Sequence, residues 1–260
     1  MPPTVSLYNL QICRALAAIM VLLAHATHII DKLILKGWWL GGWCGVDFFF
    51  VLSGFIIYYT NFRHVGDSTQ ALPYFRKRFI RIYPIHWLYL SVLLLGHFAL
   101  QAVLQRPAIT WIPLDAWGYF VSFSLYPTSL ATTVDELMPF NPVSYTLAYE
   151  LLFYAVFAAL FFLPRRLLLL PFALWLLLIT AGNVGIVPSG DYYFLSHLCA
   201  TRNIEFFYGC AIAYALVHRP QWLGEKMRLF SGAILALGLG LLLFVWSLWL
   251  YGGAEYKFLK

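Results

Sequence analysis

Runs of about twenty apolar residues recur from one end of this 260-residue chain to the other, and they limit its fold more than any other feature. A helix needs about 20 mostly apolar residues to cross about 30 Å of hydrocarbon. Hydrophobic residues make up 62% of the chain and charged residues 11%, against roughly 25% charged in a soluble domain. No soluble fold hides that much apolar surface. The runs predict helices near residues 8–30, 43–60, 79–104, 144–163, 167–187, 192–217 and 229–251. A weaker stretch at 117–126, flanked by Pro113 and Pro127, is about half the length of a crossing and is expected to be re-entrant or interfacial. The expected fold is an all-α polytopic membrane protein, a bundle of about seven or eight transmembrane helices forming one membrane-embedded domain over residues 1–260.

Charge sets the expected orientation. The net charge of +6 sits in short clusters between apolar runs rather than along one face, which argues against a nucleic-acid partner and for anchoring at the cytoplasmic side of a bilayer. The strongest cluster is Arg63, Arg76, Lys77, Arg78 and Arg81. Placing it inside puts the N-terminus in the cytoplasm. Arg165/Arg166 and Arg219/Lys226/Arg228 also fall inside if 117–126 does not cross, and the chain end at 251–260 falls outside. Cys13, Cys44, Cys199 and Cys210 have neither paired nor metal-type spacing, so no metal site is expected and they are core residues. The first apolar run lacks a basic leader and a small-residue cleavage site, and is expected to be a retained helix.

A few polar residues interrupt the apolar runs at positions that could carry chemistry. Arg14 and His25 are eleven residues apart, almost three turns, so they share a face of the first helix about 16 Å apart along its axis. Intramembrane ionisable groups are functional candidates, although a snorkelling anchor and a hydrogen-bonded core histidine are the plainer alternatives. Asp47 lies in the first turn of the second helix, where it would cap the helix, orient an imidazole, or both. Arg78 and Arg81, at i and i+3, could present paired guanidinium groups to phosphate or anchor the helix at lipid headgroups. Glu150 falls below the interface at a depth similar to that of His25, where a carboxylate is expensive unless paired or facing water. Arg202 and Glu205 have the spacing of a structural ion pair. His86, His97 and His197 carry no local signature and are expected in the core or at interfaces.

Together these segments resemble the acyltransferase 3 family of integral membrane enzymes, which O-acylate cell-surface and exported glycans and some small molecules. The similarity is greatest over residues 10–90. It rests on Arg14 and His25, on Gly45-Val46-Asp47 with Ser53-Gly54-Phe55, and on Arg78 and Arg81 before Ile82-Tyr83-Pro84. It continues through Ser144 to Glu150, where Tyr145 stands in place of the usual tryptophan, and through Arg202, Glu205, Phe206 and Gly209. Family members usually carry more helices, and some carry a soluble esterase-like domain, so a shortened member or a fragment is expected. The resemblance implies an O-acyltransferase of the bacterial inner membrane that moves an acyl group from acyl-CoA, foremost acetyl-CoA, to a carbohydrate hydroxyl. In that scheme Arg14, Arg78 and Arg81 hold the donor phosphates, His25 is the general base, and Asp47 or Glu150 fixes its tautomer. A transporter or flippase with charges lining a solute path, and an inactive scaffold, are the alternatives.

Overall fold

The computed structural model describes residues 7–30, 44–105, 115–126, 144–187 and 193–218, and all regular structure among them is helical. In chain order the helices are α1 (Leu7–Ile30), α2 (Cys44–Asn61), α3 (Ala71–Leu104), α4 (Ala116–Ser124), α5 (Tyr145–Ala158), α6 (Leu170–Asn183), α7 (Tyr193–Cys199) and α8 (Asn203–His218). Among the described residues, three helical stretches are long and apolar enough to cross a membrane: Cys44–His64, Ser68–Leu104 and Arg165–Asn183. Leu10–Leu23 and Tyr145–Phe161 are shorter apolar helices. The helix expected at 229–251 and the basic cluster at 219–228 lie outside the described residues. The described residues fall into two compact units, one within residues 1–63 and 204–260 and the other within residues 64–203.

The first unit is built on close backbone approach. A methyl group on Gly45 of α2 would lie 2.7 Å from the Ala17 carbonyl of α1, so α1 and α2 touch backbone to backbone there. α2 meets α8 more closely still. A Cβ on Gly54 would lie 2.1 Å from the Phe206 carbonyl, and one on Gly209 would lie 2.0 Å from the Val51 carbonyl. Small residues replace the hydrophobic effect as the means of joining helices in lipid, because close approach maximises dispersion contact. The ring of Phe50 packs on Phe206 at 4.7 Å, Tyr58 on Tyr214 at 6.1 Å, and Phe62 on His218 at 6.3 Å. These pairs advance together along both helices, so α2 and α8 run parallel and end beside Arg63.

In the second unit α3 is the long element. Its 34 residues extend about 51 Å at 1.5 Å per residue, well beyond a 30 Å hydrocarbon layer. The helix begins at Ala71, eight residues before the expected start at 79, because the basic run Arg76 to Arg81 forms its first turns instead of a loop. Ile85, Leu88, Val92 and Leu95 make an exposed apolar stripe suited to lipid, while His86, Leu90, Leu94 and His97 are buried on the other side.

Opposite that buried side lies α4, whose nine residues extend only about 13.5 Å and cannot cross alone. The last carbonyls of a helix have no partner within it. Here α3 supplies donors: Tyr83 Oη to Ser124 O at 2.9 Å and Trp87 Nε1 to Phe123 O at 2.9 Å, with His86 Nε2 bonded to Ser122 O at 2.8 Å. Each such group left unmade in a water-poor interior would cost about 1–3 kcal/mol. At its start Asp115 accepts from Gly118 N at 2.8 Å, so α4 is capped at both ends.

α7 ends by the same device, which divides the helix expected at 192–217. Asn203 turns back and donates to the carbonyls of His197 at 2.7 Å and Leu198 at 3.3 Å. Trp175 Nε1 also donates to Leu198 O, and Asn183 Nδ2 to Cys199 O. Asparagine competes for backbone groups in this way, which favours caps and turns over helix interiors. At the opposite end of the unit, Gly66 takes φ 86° and donates its N–H to Leu160 O at 3.0 Å, while Arg165 Nε bonds Val65 O at 3.3 Å. The end of α5 is therefore joined to the loop that precedes α3. In that loop Asp67 accepts from Thr69 N and Thr69 Oγ1, which holds its carboxyl below the usual carboxylate range.

Candidate active site

Within the second unit the structure joins Arg78 to Glu150 through a residue the sequence reading did not single out. α3 and α5 run antiparallel, with Tyr74 packed against Tyr154, Phe157 and Phe161. One turn farther along α3, the Arg78 guanidinium carbon lies 5.3 Å from the ring centroid of Tyr74 and 5.3 Å from that of Tyr154. Two aromatic faces thus hold one cation, an arrangement worth up to about 2 kcal/mol per face when water is excluded. Arg78 Nε is buried and has no acceptor among the described residues. Tyr154 is 2% exposed, and its hydroxyl donates to Glu150 Oε1 one turn away on α5. Both Arg78 and Arg81 act electrostatically on that hydroxyl, and Arg81 itself is exposed. The order along the helices is cation at the basic end, phenol, then carboxylate one turn farther from that end.

Glu150 lies near the start of α5, and residues of the first turn of α5 border a small cleft. Ser144, Tyr145, Ala148, His197, Leu125 and Tyr126 line it. Arg202 Nη1 donates to Tyr145 Oη at 2.9 Å, and Tyr149 stacks on His197 with ring centroids 4.7 Å apart. Arg202 precedes α8 in a turn and Glu205 lies in the first turn of α8. Tyr145 occupies the position where the family tends to place tryptophan, and its hydroxyl takes an arginine hydrogen bond that an indole could not accept.

The remaining candidates are in the first unit. Ala17 and Val21 form the part of α1 that meets Gly45. Arg14 precedes Ala17 by three residues and His25 follows Val21 by four, so both lie on the face of α1 turned to α2. Both side chains are half-buried. Asp47, also half-buried, is two residues beyond Gly45 in the first turn of α2. α2 already begins at Cys44, so Asp47 stands within the first turn rather than at the N-cap position. A carboxylate there benefits from the helix dipole.

Tyr154 and Tyr74 are residues that sequence reasoning passed over, and Gly54 and Gly209 entered it only as parts of motifs. Helical spacing carried a signal for two of them, since Tyr154 follows Glu150 by four residues and Tyr74 precedes Arg78 by four.

Comparison with known proteins gives these positions a context. A family model described as "Acyltransferase domain" matches residues 7–259. The exopolysaccharide production protein ExoZ of Rhizobium meliloti is 35% identical over 144 residues, 55% of this chain and 42% of its own length. The peptidoglycan O-acetyltransferase OatA of Listeria monocytogenes is 29% identical over 224 residues, 77% of this chain and 32% of its own length. The chain thus spans less than half the length of either relative. No solved structure gives a significant match.

Proposed function

The chain belongs to this membrane-embedded, multi-pass acyltransferase family, and from that premise we propose that it is an O-acyltransferase carrying an acyl group from acyl-CoA to a carbohydrate hydroxyl. In this reading the donor is acetyl-CoA and the acceptor is a cell-surface or exported glycan; the names of the two relatives support acetyl transfer and a glycan acceptor. One observation carries the reading: the Arg78 guanidinium, at the basic end of α3, leads through Tyr154 to a carboxylate within the apolar part of α5. A polyanionic donor and a reacting centre farther into the membrane require that sequence of charges.

In the proposed reaction Arg78, Arg81 and Arg14 bind the donor phosphates and the pantetheine arm extends along α1 toward His25. His25 takes the proton of the acceptor hydroxyl as its oxygen attacks the thioester carbonyl. The carbon–sulfur bond breaks, the thiolate of coenzyme A leaves, and the proton passes from the imidazolium to sulfur. Asp47 or Glu150 fixes the imidazole tautomer. The enzyme is a single membrane-embedded domain of the bacterial inner membrane with its N-terminus in the cytoplasm.

Incubating the purified protein with labelled acetyl-CoA and candidate glycans tests the reading: label appears on the glycan. Movement of solute without transfer would indicate a transporter, and inactivity toward every acceptor a scaffold. Arg78→Ala and Arg81→Ala are each expected to weaken acetyl-CoA binding about 10- to 150-fold, the loss of one charge-assisted contact worth about 1.5–3 kcal/mol. Equal donor affinity in both variants would leave them as lipid anchors.

Orientation has its own test. In the first unit His218 lies beside Phe62, and in the second Arg165 lies beside Val65. Each unit by itself thus brings one later residue, His218 in the first and Arg165 in the second, to the region following α2, which supports one cytoplasmic face. Single cysteines at His64 and Arg166 are expected to be blocked only by reagents that reach the cytoplasm, and one at Tyr126 by impermeant reagents outside. The opposite labelling pattern would invert the topology.

A further inference from the structure

We propose that Tyr154 is a positioning residue that couples donor binding to the reacting centre, holding Arg78 with its ring and Glu150 with its hydroxyl. The inference rests on the acyl-CoA reading above. Tyr154 is fully packed: α3 covers it through Tyr74, and Phe153 and Phe157 lie at 6.5 Å and within the same buried set on α5. Its two functional parts face two different residues. The ring supplies one of the two aromatic walls around the Arg78 guanidinium. The phenol O–H donates to Glu150 Oε1, which fixes the rotamer of a carboxylate on an otherwise apolar stretch of helix.

Such an arrangement would be unnecessary if each residue had a separate role. An arginine that only anchors the protein at headgroups needs water or phosphate, whereas Arg78 is drawn between two rings with its Nε shielded from solvent. A guanidinium restrained in this way loses little freedom when an anion arrives, so less of the binding energy is spent on ordering it. The same phenol then constrains the carboxylate one helical turn deeper. Arrival of the donor phosphate at Arg78 and the placement of Glu150 are therefore linked by one rigid side chain.

The two halves of the side chain can be removed separately. Tyr154→Phe keeps the ring and loses the hydroxyl. It is expected to bind acetyl-CoA within about twofold of the wild type while kcat falls about 10- to 100-fold, the range typical of removing a group that orients a reactive side chain. Tyr154→Leu loses both parts, and donor affinity is expected to fall about 5-fold or more in addition, because Arg78 loses one wall. Donor binding is read by calorimetry with acetyl-CoA on the detergent-solubilised protein, and turnover is normalised to the folded fraction. A tyrosine that merely fills the core would lower the melting temperature of both variants and leave kcat per folded molecule and donor affinity unchanged, which overturns the inference. Should Tyr154→Phe not fold, Glu150→Ala carries the test, since it removes the group that the phenol holds. Unchanged kcat in that variant would overturn the inference equally. A wild type that neither binds nor transfers from acetyl-CoA removes the reading and this inference together, whereas an active wild type with an indifferent Tyr154→Phe removes this inference alone.

Discussion

Gly54→Ala and Gly209→Ala are each expected to destabilise the protein by more than about 3 kcal/mol, while the same substitution at Gly96 is neutral or stabilising. All three glycines lie within helices, where alanine is favoured by about 0.5–1 kcal/mol through propensity and the lower entropy of the unfolded chain. At Gly96 that gain stands alone, because an added Cβ meets nothing within 4 Å. At Gly209 the methyl would lie 2.0 Å from Val51 O and 2.6 Å from Phe55 N, and at Gly54 it would lie 2.1 Å from Phe206 O. These are backbone atoms and cannot rotate aside. The helices must separate by more than 1 Å, which breaks the contact between the Phe50 and Phe206 rings and the Cys210 Sγ contact to Gly54 O. Overpacking that displaces a side chain costs about 1–3 kcal/mol, and displacement of a whole helix exceeds that range. Thermal unfolding in detergent reads the three variants, and the double variant Gly54→Ala/Gly209→Ala should cost less than the sum of the singles because both act on one crossing. Wild-type melting of Gly209→Ala would show that the crossing of α2 and α8 contributes little.

That crossing also shows what the sequence carried and what it did not. Apolar run length located α1, α2, α5 and α6 to within a few residues, because crossing hydrocarbon is a requirement on length that composition alone records. It misplaced the start of α3, since basic residues near the interface lower the apolar signal although they are good helix formers. It also merged α7 and α8. The break depends on Asn203, Asn183 and Trp175 bonding the last carbonyls of α7, and Trp175 and Asn183 belong to the preceding helix α6, so a local window contains only the part of the signal that Asn203 carries. The weak stretch at 117–126 was legible as too short to cross, but its anchoring by Tyr83, His86 and Trp87 was not. At the candidate site, Arg14, His25, Asp47, Arg78, Arg81 and Glu150 stood out because each is a charged or titratable group where such groups are costly. Tyr154 did not, because a tyrosine in an apolar helix is ordinary until its two neighbours are known. Gly54 and Gly209 were legible only as parts of motifs. Their physical role, admitting the backbone of another helix, is a tertiary fact.

His25→Ala is expected to fold, insert and bind acetyl-CoA normally, yet lose on the order of 10² to 10⁴ in turnover, the contribution of a general base. The location of the residue makes this separation measurable. His25 lies one turn beyond Val21 on the face of α1 that meets Gly45, and it is half-buried, so its removal leaves the contact between Ala17 and Gly45 in place. A histidine with only a packing role behaves otherwise: truncation costs about 1–3 kcal/mol through the space and polar partner left behind, with turnover per folded molecule unchanged. Melting temperature and turnover must therefore come from the same preparation. Asp47→Asn separates the two roles of that carboxylate in the same way. Asp47 is inside the first turn of α2 and not at its cap, so as a dipole partner it contributes about 0.3–1 kcal/mol, and asparagine would forfeit no more than that. As the group that holds the imidazole tautomer it would be essential to proton transfer, and asparagine would reproduce much of the His25→Ala defect with little change in stability. A kinetic defect in His25→Ala together with a silent Asp47→Asn would assign the orienting role to Glu150. Full turnover in His25→Ala would remove His25 from the mechanism and leave Arg78, Tyr154 and Glu150 as the centre to be tested.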